Sequence, residues 1–171
     1  MKTLLLMRYA KSSWNNAALQ DFDRPLNERG KGAAPLMGQW MRKQKLQPEM
    51  VISSPAERAR QTIVLVMEAA KFDPGLYKFK GEVQYDERLY GASAAQLLEV
   101  ITQIEPVANQ ALLVGHNPGS EDLIEMLTGK AERVPTAALA CVNLSIEKWD
   151  EVQRGGGRLE WLVKPKELGK G

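Results

Sequence analysis

Apolar runs and helical patterns alternate along the chain from one end to the other. Thr3–Met7 is a continuous apolar stretch, the mark of a short strand covered on both faces. A polar segment from Lys11 to Arg24 follows. Asn27 then stands where it can cap a helix running to about Lys45, in which Leu36, Met37, Trp40 and Met41 recur at i, i+1, i+4 and i+5. Pro35 inside that pattern predicts a kink or a frayed first half. Met50–Ile52 reads as a second strand, closed by Ser53-Ser54-Pro55. A helix is expected from about Ala56 to Lys71, with Ile63, Val64, Val66 and Met67 turned to the core.

Val83–Tyr85 is a brief third strand, and Ser93 caps a helix carrying Leu97, Leu98, Ile101 and Ile104. Ala111–Val114 is a fourth strand that runs straight into Gly115-His116-Asn117. Ser120 is the expected cap of a helix to about Leu127, ended by Gly129. Leu139–Ile146 and Arg158–Val163 read as two last strands, separated by the turn-rich Arg154–Gly157.

This alternation predicts an α/β three-layer sandwich with a mostly parallel central sheet. The reading is one domain over residues 1–165 and a mobile tail over 166–171. Ligands of such sheets bind beyond the carboxyl ends of the strands. That singles out Arg8-Tyr9 after the first strand, Ser53–Arg58 after the second and Gly115–Asn117 after the fourth.

Composition narrows the function classes. The 171 residues are 44% hydrophobic and 26% charged, which excludes disordered, collagenous and membrane-spanning chains. Twenty-three Lys and Arg against 21 Asp and Glu leave a net charge of +2, too little excess for a generic nucleic-acid binder. The lone Cys141 cannot form an internal disulfide, and with the lone His116 it cannot build an ordinary zinc site. The apolar run Leu4–Met7 is too short for the core of a signal peptide. A cytoplasmic location is expected, with no membrane partner, no metal and no organic cofactor.

The chemistry at the strand ends is specific. Arg8 and Arg58 supply two guanidinium forks suited to an oxyanion, and Arg58 lies in the first turn of a helix, where free backbone N–H groups favour anions. His116 is the only imidazole. Two arginines, a histidine and a helix N-terminus at one sheet edge describe a phosphate pocket.

These residues also fall in recognisable motifs. Leu5-Leu6-Met7-Arg8-Tyr9-Ala10-Lys11-Ser12 resembles the opening motif of the histidine phosphatase superfamily, whose fold is phosphoglycerate-mutase-like. Ser53-Ser54-Pro55-Ala56-Glu57-Arg58-Ala59-Arg60-Gln61-Thr62 resembles its second arginine motif, and Val114-Gly115-His116-Asn117 its second histidine motif. Asp23-Arg24-Pro25-Leu26-Asn27-Glu28-Arg29-Gly30 is similar to the helix entry of the small SixA-type phosphohistidine phosphatases. The resemblance spans about residues 2–165, with the motifs in family order.

The resemblance implies hydrolysis of phosphoryl groups on a phosphoprotein, such as a phosphohistidine-carrying signalling protein. Arg8, Arg58 and His116 would hold the phosphoryl oxygens of that partner, or a free phosphate or sulfate ion. Ser12 and Ser13 would line the pocket, and Glu87 would lie near the family's proton donor. Tyr9 falls where the family has its nucleophilic histidine. An imidazole is substantially neutral at pH 7, whereas a phenol ionises near pH 10 and its phosphate ester turns over poorly. The alternative is therefore a catalytically silent phosphoryl-binding protein. Elsewhere the ordinary readings hold: Cys141 as an inert core thiol, Trp40, Trp149 and Trp161 as packing, and Lys164-Pro165-Lys166 as a solvated tail. Trp14 differs, lying on the polar loop beside the expected site.

Overall fold

The computed structural model describes residues 1–72 and 82–169. Six strands form one sheet: β1 (Lys2–Arg8), β2 (Met50–Ser53), β3 (Gln84–Tyr85), β4 (Gln110–Gly115), β5 (Leu139–Leu144) and β6 (Gly157–Val163). Their order is β3-β2-β4-β1-β5-β6, parallel from β3 through β1 and antiparallel at β5 and β6. Among the described residues five α-helices accompany them: α1 (Glu28–Lys43), α2 (Glu57–Ala70), α3 (Ala94–Thr102), α4 (Gly119–Thr128) and α5 (Pro165–Leu168). This is the expected α/β sandwich, with the sheet mixed at one side.

The layers follow from the alternation of side chains along each strand. Leu5 and Met7 of β1 pack with Met37 and Met41 of α1 and with Ile63 and Val66 of α2. Leu4 and Leu6 face the other way, onto Leu97 and Ile101 of α3 and Leu123 and Leu127 of α4. Leu4–Met7 are all fully buried, which is why that run carries no polar residue. Trp149 is also fully buried, with its indole N–H given to the Ala108 carbonyl.

The expected caps form at two helices. Asn27 accepts from the Gly30 N–H, and Ser93 forms a capping box with Gln96. The helix from Asn27 runs through Pro35 to Lys43. At α4 the cap is Pro118 rather than Ser120, which is buried within the first turn. The expected tail begins inside α5, whose Leu168 packs on the β1–α1–α2 core, so the chain is held there to Leu168; residues 170–171 lie outside those described. No helix among the described residues is long and apolar enough to cross a membrane.

Gly30 ties α1 to the loop that follows β1. A Cβ there would lie 2.2 Å from the Lys11 carbonyl oxygen, closer than such contacts occur. Alanine would gain up to about 1 kcal/mol of helix propensity. The backbone clash outweighs that gain, and Gly30→Ala is expected to cost about 1–2 kcal/mol net. Thermal unfolding checks this: the midpoint should fall by about 4 °C, and an unchanged midpoint would mean the loop yields freely.

Candidate active site

Register brings three strand ends together. β4 lies between β2 and β1, with Arg8 beside Gly115 and Ser53 beside Val114. The residues that leave these ends, Tyr9, Ser54 and His116, therefore emerge at one edge. Thr62 of α2 fixes the helix to the β1 exit: its hydroxyl donates to the Arg58 carbonyl at 2.7 Å and accepts from the Ala10 N–H at 2.9 Å. The loop before β5 closes the other side, where the Val134 carbonyl accepts from Arg8 Nη1 at 3.2 Å and from Asn117 Nδ2 at 2.9 Å.

At the centre stand Tyr9, Arg58 and His116. The Tyr9 ring lies 4.7 Å from the Arg58 guanidinium, 5.4 Å from that of Arg8 and 4.9 Å from the His116 ring. Arg58, only 5% exposed, reaches His116 Nδ1 with Nη2 at 3.4 Å. A guanidinium can only donate, so Nδ1 accepts and the imidazole proton sits on Nε2, 2.7 Å from Ser54 Oγ. The Nε atoms of Arg8 and Arg58 are buried donors with no partner among the described residues. Buried cationic donors of this kind suit the oxygens of an anion.

The electrostatics divide the roles. Burial foremost, then the charge of Arg58, pushes the His116 imidazole down to about 4, so it is neutral at pH 7. Burial raises the Tyr9 phenol, but hydrogen bonding from Arg8 and the charge and hydrogen bonding of Arg58 outweigh it and leave the phenol below its ordinary value. Asp21, from the loop after β1, takes Arg58 Nη1 on its carbonyl at 2.7 Å and Nη2 on Oδ2 at 3.0 Å. Its carboxylate also accepts from Tyr90 Oη at 2.6 Å and from Arg24 Nη1 at 2.8 Å. The Tyr90 hydrogen bond and the two arginines hold Asp21 below the usual carboxylate range, while Tyr90 is raised by the same hydrogen bond.

The structure therefore brings Arg8, Tyr9, Arg58 and His116 into one site. Ser12 is buried behind it, accepting a hydrogen bond from Arg24, and the Ser13 carbonyl accepts from Arg24 Nε at 3.0 Å. Trp14 is three-quarters exposed, with the Arg24 guanidinium 3.3 Å over its ring. Glu87 is exposed at the start of a short 3-10 turn and, among the described residues, makes no hydrogen bond or ion pair with Tyr9, Arg58 or His116. Tyr90, at the end of the same turn, does reach the site, its ring 5.4 Å from that of His116. Asp21, Thr62 and Tyr90 had no expected role in the site, and Ser54 none of its own within Ser53–Arg58. Ser54 and Thr62, both inside the second arginine motif, carried a signal that could have found them.

The buried imidazole makes stability depend on pH. The unfolded ring takes a proton near pH 6.5, the folded one only near 4. As pH falls through that window the unfolded chain gains a proton the native chain refuses, so stability held above pH 6.5 is lost, by about 3 kcal/mol in full. Denaturant unfolding at pH 7 and pH 4.5 should show native protein losing about 2 kcal/mol more than His116→Gln. Equal losses would mean the ring is charged in the fold.

Comparison with known proteins agrees with this fold. The family model for the histidine phosphatase superfamily (branch 1) matches residues 4–104. An uncharacterised protein of Mycobacterium tuberculosis is 32% identical over 171 residues, covering 94% of this chain and all of that one. An uncharacterised chloroplastic protein of Arabidopsis thaliana is 30% identical, covering 96% of this chain and 78% of its own length. Among solved structures, a SixA protein of Agrobacterium tumefaciens, assigned as a phosphohistidine phosphatase, superposes with a TM-score of 0.77 at 28% identity, covering 96% of this chain and 98% of that one. The protein histidine phosphatase SixA complexed with tungstate shares the fold, with a TM-score of 0.74 at 24% identity over 97% of this chain and 99% of its own.

Proposed function

This chain belongs to the histidine phosphatase superfamily, and from that premise we propose that it acts on phosphoryl groups carried by a phosphohistidine-bearing protein. In this reading Arg8 and Arg58 hold the phosphoryl oxygens and the charge that develops on them. His116 is uncharged and adds no third cation: it accepts from Arg58 on Nδ1 and donates its Nε2–H to Ser54 Oγ, which orients the Arg58 fork toward the phosphoryl group. Tyr9 takes the nucleophile position. Its phenol stands between the two guanidinium groups, which favour its ionised form.

The observation that carries the substrate class is the weakness of the acids around Tyr9 among the described residues. Asp21 is held ionised and cannot give a proton, and Tyr90 is a poorer acid than an ordinary phenol. Alkyl phosphate esters need such an acid at the leaving oxygen. A phosphorylated imidazole does not, because the departing ring can carry its own proton near neutral pH. The site therefore suits a P–N bond better than a P–O bond.

A second reading is favoured by Tyr9 itself: a protein that grips the phosphoryl group without turning it over. Turnover of a phosphorylated histidine protein by the native chain and by Tyr9→His, side by side, separates the two. Turnover by the native chain supports the phosphatase reading. Turnover by the variant alone supports the binder.

A further inference from the structure

Beside the phosphoryl site lies a cavity of about 520 Å³ whose walls carry an unusual share of the chain's positive charge. Lys11 comes from the loop after β1, Arg29 from the first turn of α1, Arg133 from the loop before β5, and Lys164 and Lys166 from the approach to α5 and its start. Arg8 lines the same cavity and also flanks the Tyr9 ring, so cleft and site are continuous through one guanidinium.

The charge there is not neutralised locally. Six cations line the cleft against one carboxylate, in a chain whose whole balance is 23 to 21. That carboxylate, Glu121, is occupied at 2.7 Å by the backbone N–H of Val134. Three cations elsewhere on the surface are paired: Lys31 with Glu28, Arg88 with Asp86 and Arg158 with Glu160. Among the described residues Lys11, Arg29, Arg133, Lys164 and Lys166 enter no ion pair. A cleft lined by one sign of charge concentrates the opposite sign from solution.

We propose that this cleft binds an acidic stretch of the phosphoprotein substrate, next to the phosphorylated residue whose phosphoryl group enters the Arg8–Arg58–His116 site. The proposal rests on the phosphoprotein reading above and names what that substrate carries. The cations come from four separate segments rather than one nest, and Ala33 and Pro165 interrupt them with apolar surface. Carboxylates spaced along a peptide match that spread better than one compact ion. The cleft also gives specificity that the phosphoryl site alone lacks, because every phosphorylated protein presents the same group to two arginines.

Fluorescence anisotropy with two peptides tests this. Both carry the same stable phosphonate mimic of phosphohistidine, flanked in one by several Asp and Glu and in the other by Asn and Gln. At low salt the acidic peptide should bind at least about tenfold more tightly, as several exposed ion pairs would give. High salt should shrink the difference. Arg133→Gln with Lys166→Gln, both exposed positions, should cut it to about twofold or less while leaving the affinity for inorganic phosphate unchanged. Equal affinity of the two peptides overturns the proposal, as does a difference that survives the double substitution. Inorganic tripolyphosphate is the rival occupant, and its displacing the acidic peptide at lower concentration than the unlabelled acidic peptide does would overturn the peptide assignment. Because the readout is binding, absence of turnover would fail the catalytic reading and leave this result standing.

Discussion

Tyr9→His should raise turnover of a phosphorylated histidine protein by on the order of 10³-fold or more, given what a nucleophile contributes in comparable enzymes. The backbone at this position is already fixed. The Tyr9 N–H donates to the Gly115 carbonyl at 3.3 Å, and the Ala137 N–H donates to both the Arg8 and Tyr9 carbonyls at 3.0 Å. A histidine would therefore start from the same point and face the same two guanidinium groups. What changes is the chemistry. Imidazole offers a neutral nitrogen at pH 7, and its phosphorylated form releases the group to water readily. The phenol of Tyr9 needs its arginines merely to approach ionisation, and the aryl phosphate it would form persists. The shorter ring also vacates the place of the tyrosine hydroxyl, where a phosphoryl oxygen can then sit. Similar rates for the two proteins would show that position 9 does not supply the nucleophile, and no turnover by either would remove phosphohistidine as the substrate.

What could be read from the sequence, and what could not, divides by range. β1, β2 and β4 stand out because the middle of a strand buried on both faces must be apolar, and each ends one residue past its apolar run. Asn27 and Ser93 mark their helices because a cap is a contact over three residues, visible in any short window. Arg8, Arg58 and His116 are legible for the same reason: Arg8 closes β1, His116 follows directly on β4 and Arg58 lies in the first turn of the helix after β2, all at strand ends that the rule for α/β sheets already makes suspect.

Long-range geometry hid the rest. Asp21 serves Arg58, 37 positions later, and Tyr90, 69 positions later, and no periodic pattern links such residues. Ser120 looked like a cap because hydroxyls often are, yet the backbone turns into helix earlier, at Pro118. The lysines of Lys164-Pro165-Lys166 read as solvated tail. They become a wall of the basic cleft only because Leu168 anchors α5 to the core. Solvation and function are not alternatives for such residues: an exposed, unpaired cation is what a charged partner needs.

The second large effect concerns Arg58. Arg58→Met should weaken binding of inorganic phosphate by about 30- to 150-fold, since charge-assisted hydrogen bonds from a buried donor contribute about 2–3 kcal/mol net. Calorimetric titration measures it directly. The substitution does not strand a buried charge, because Asp21 is half-exposed and keeps Arg24 and Tyr90 as partners, so the loss should be one of binding rather than folding. Arg58→Lys should fall between, keeping the charge without the planar fork. Asp21→Asn provides the opposite sign. In the structure its carboxylate occupies one edge of the Arg58 guanidinium, so phosphate must compete with it, and removing that charge should tighten phosphate by about 3- to 10-fold. If Arg58→Met and Asp21→Asn both leave the affinity unchanged, phosphate binds somewhere else. If only Arg58→Met matters, Asp21 and phosphate use different edges of the fork, and Asp21 is a support for Arg58 rather than its competitor.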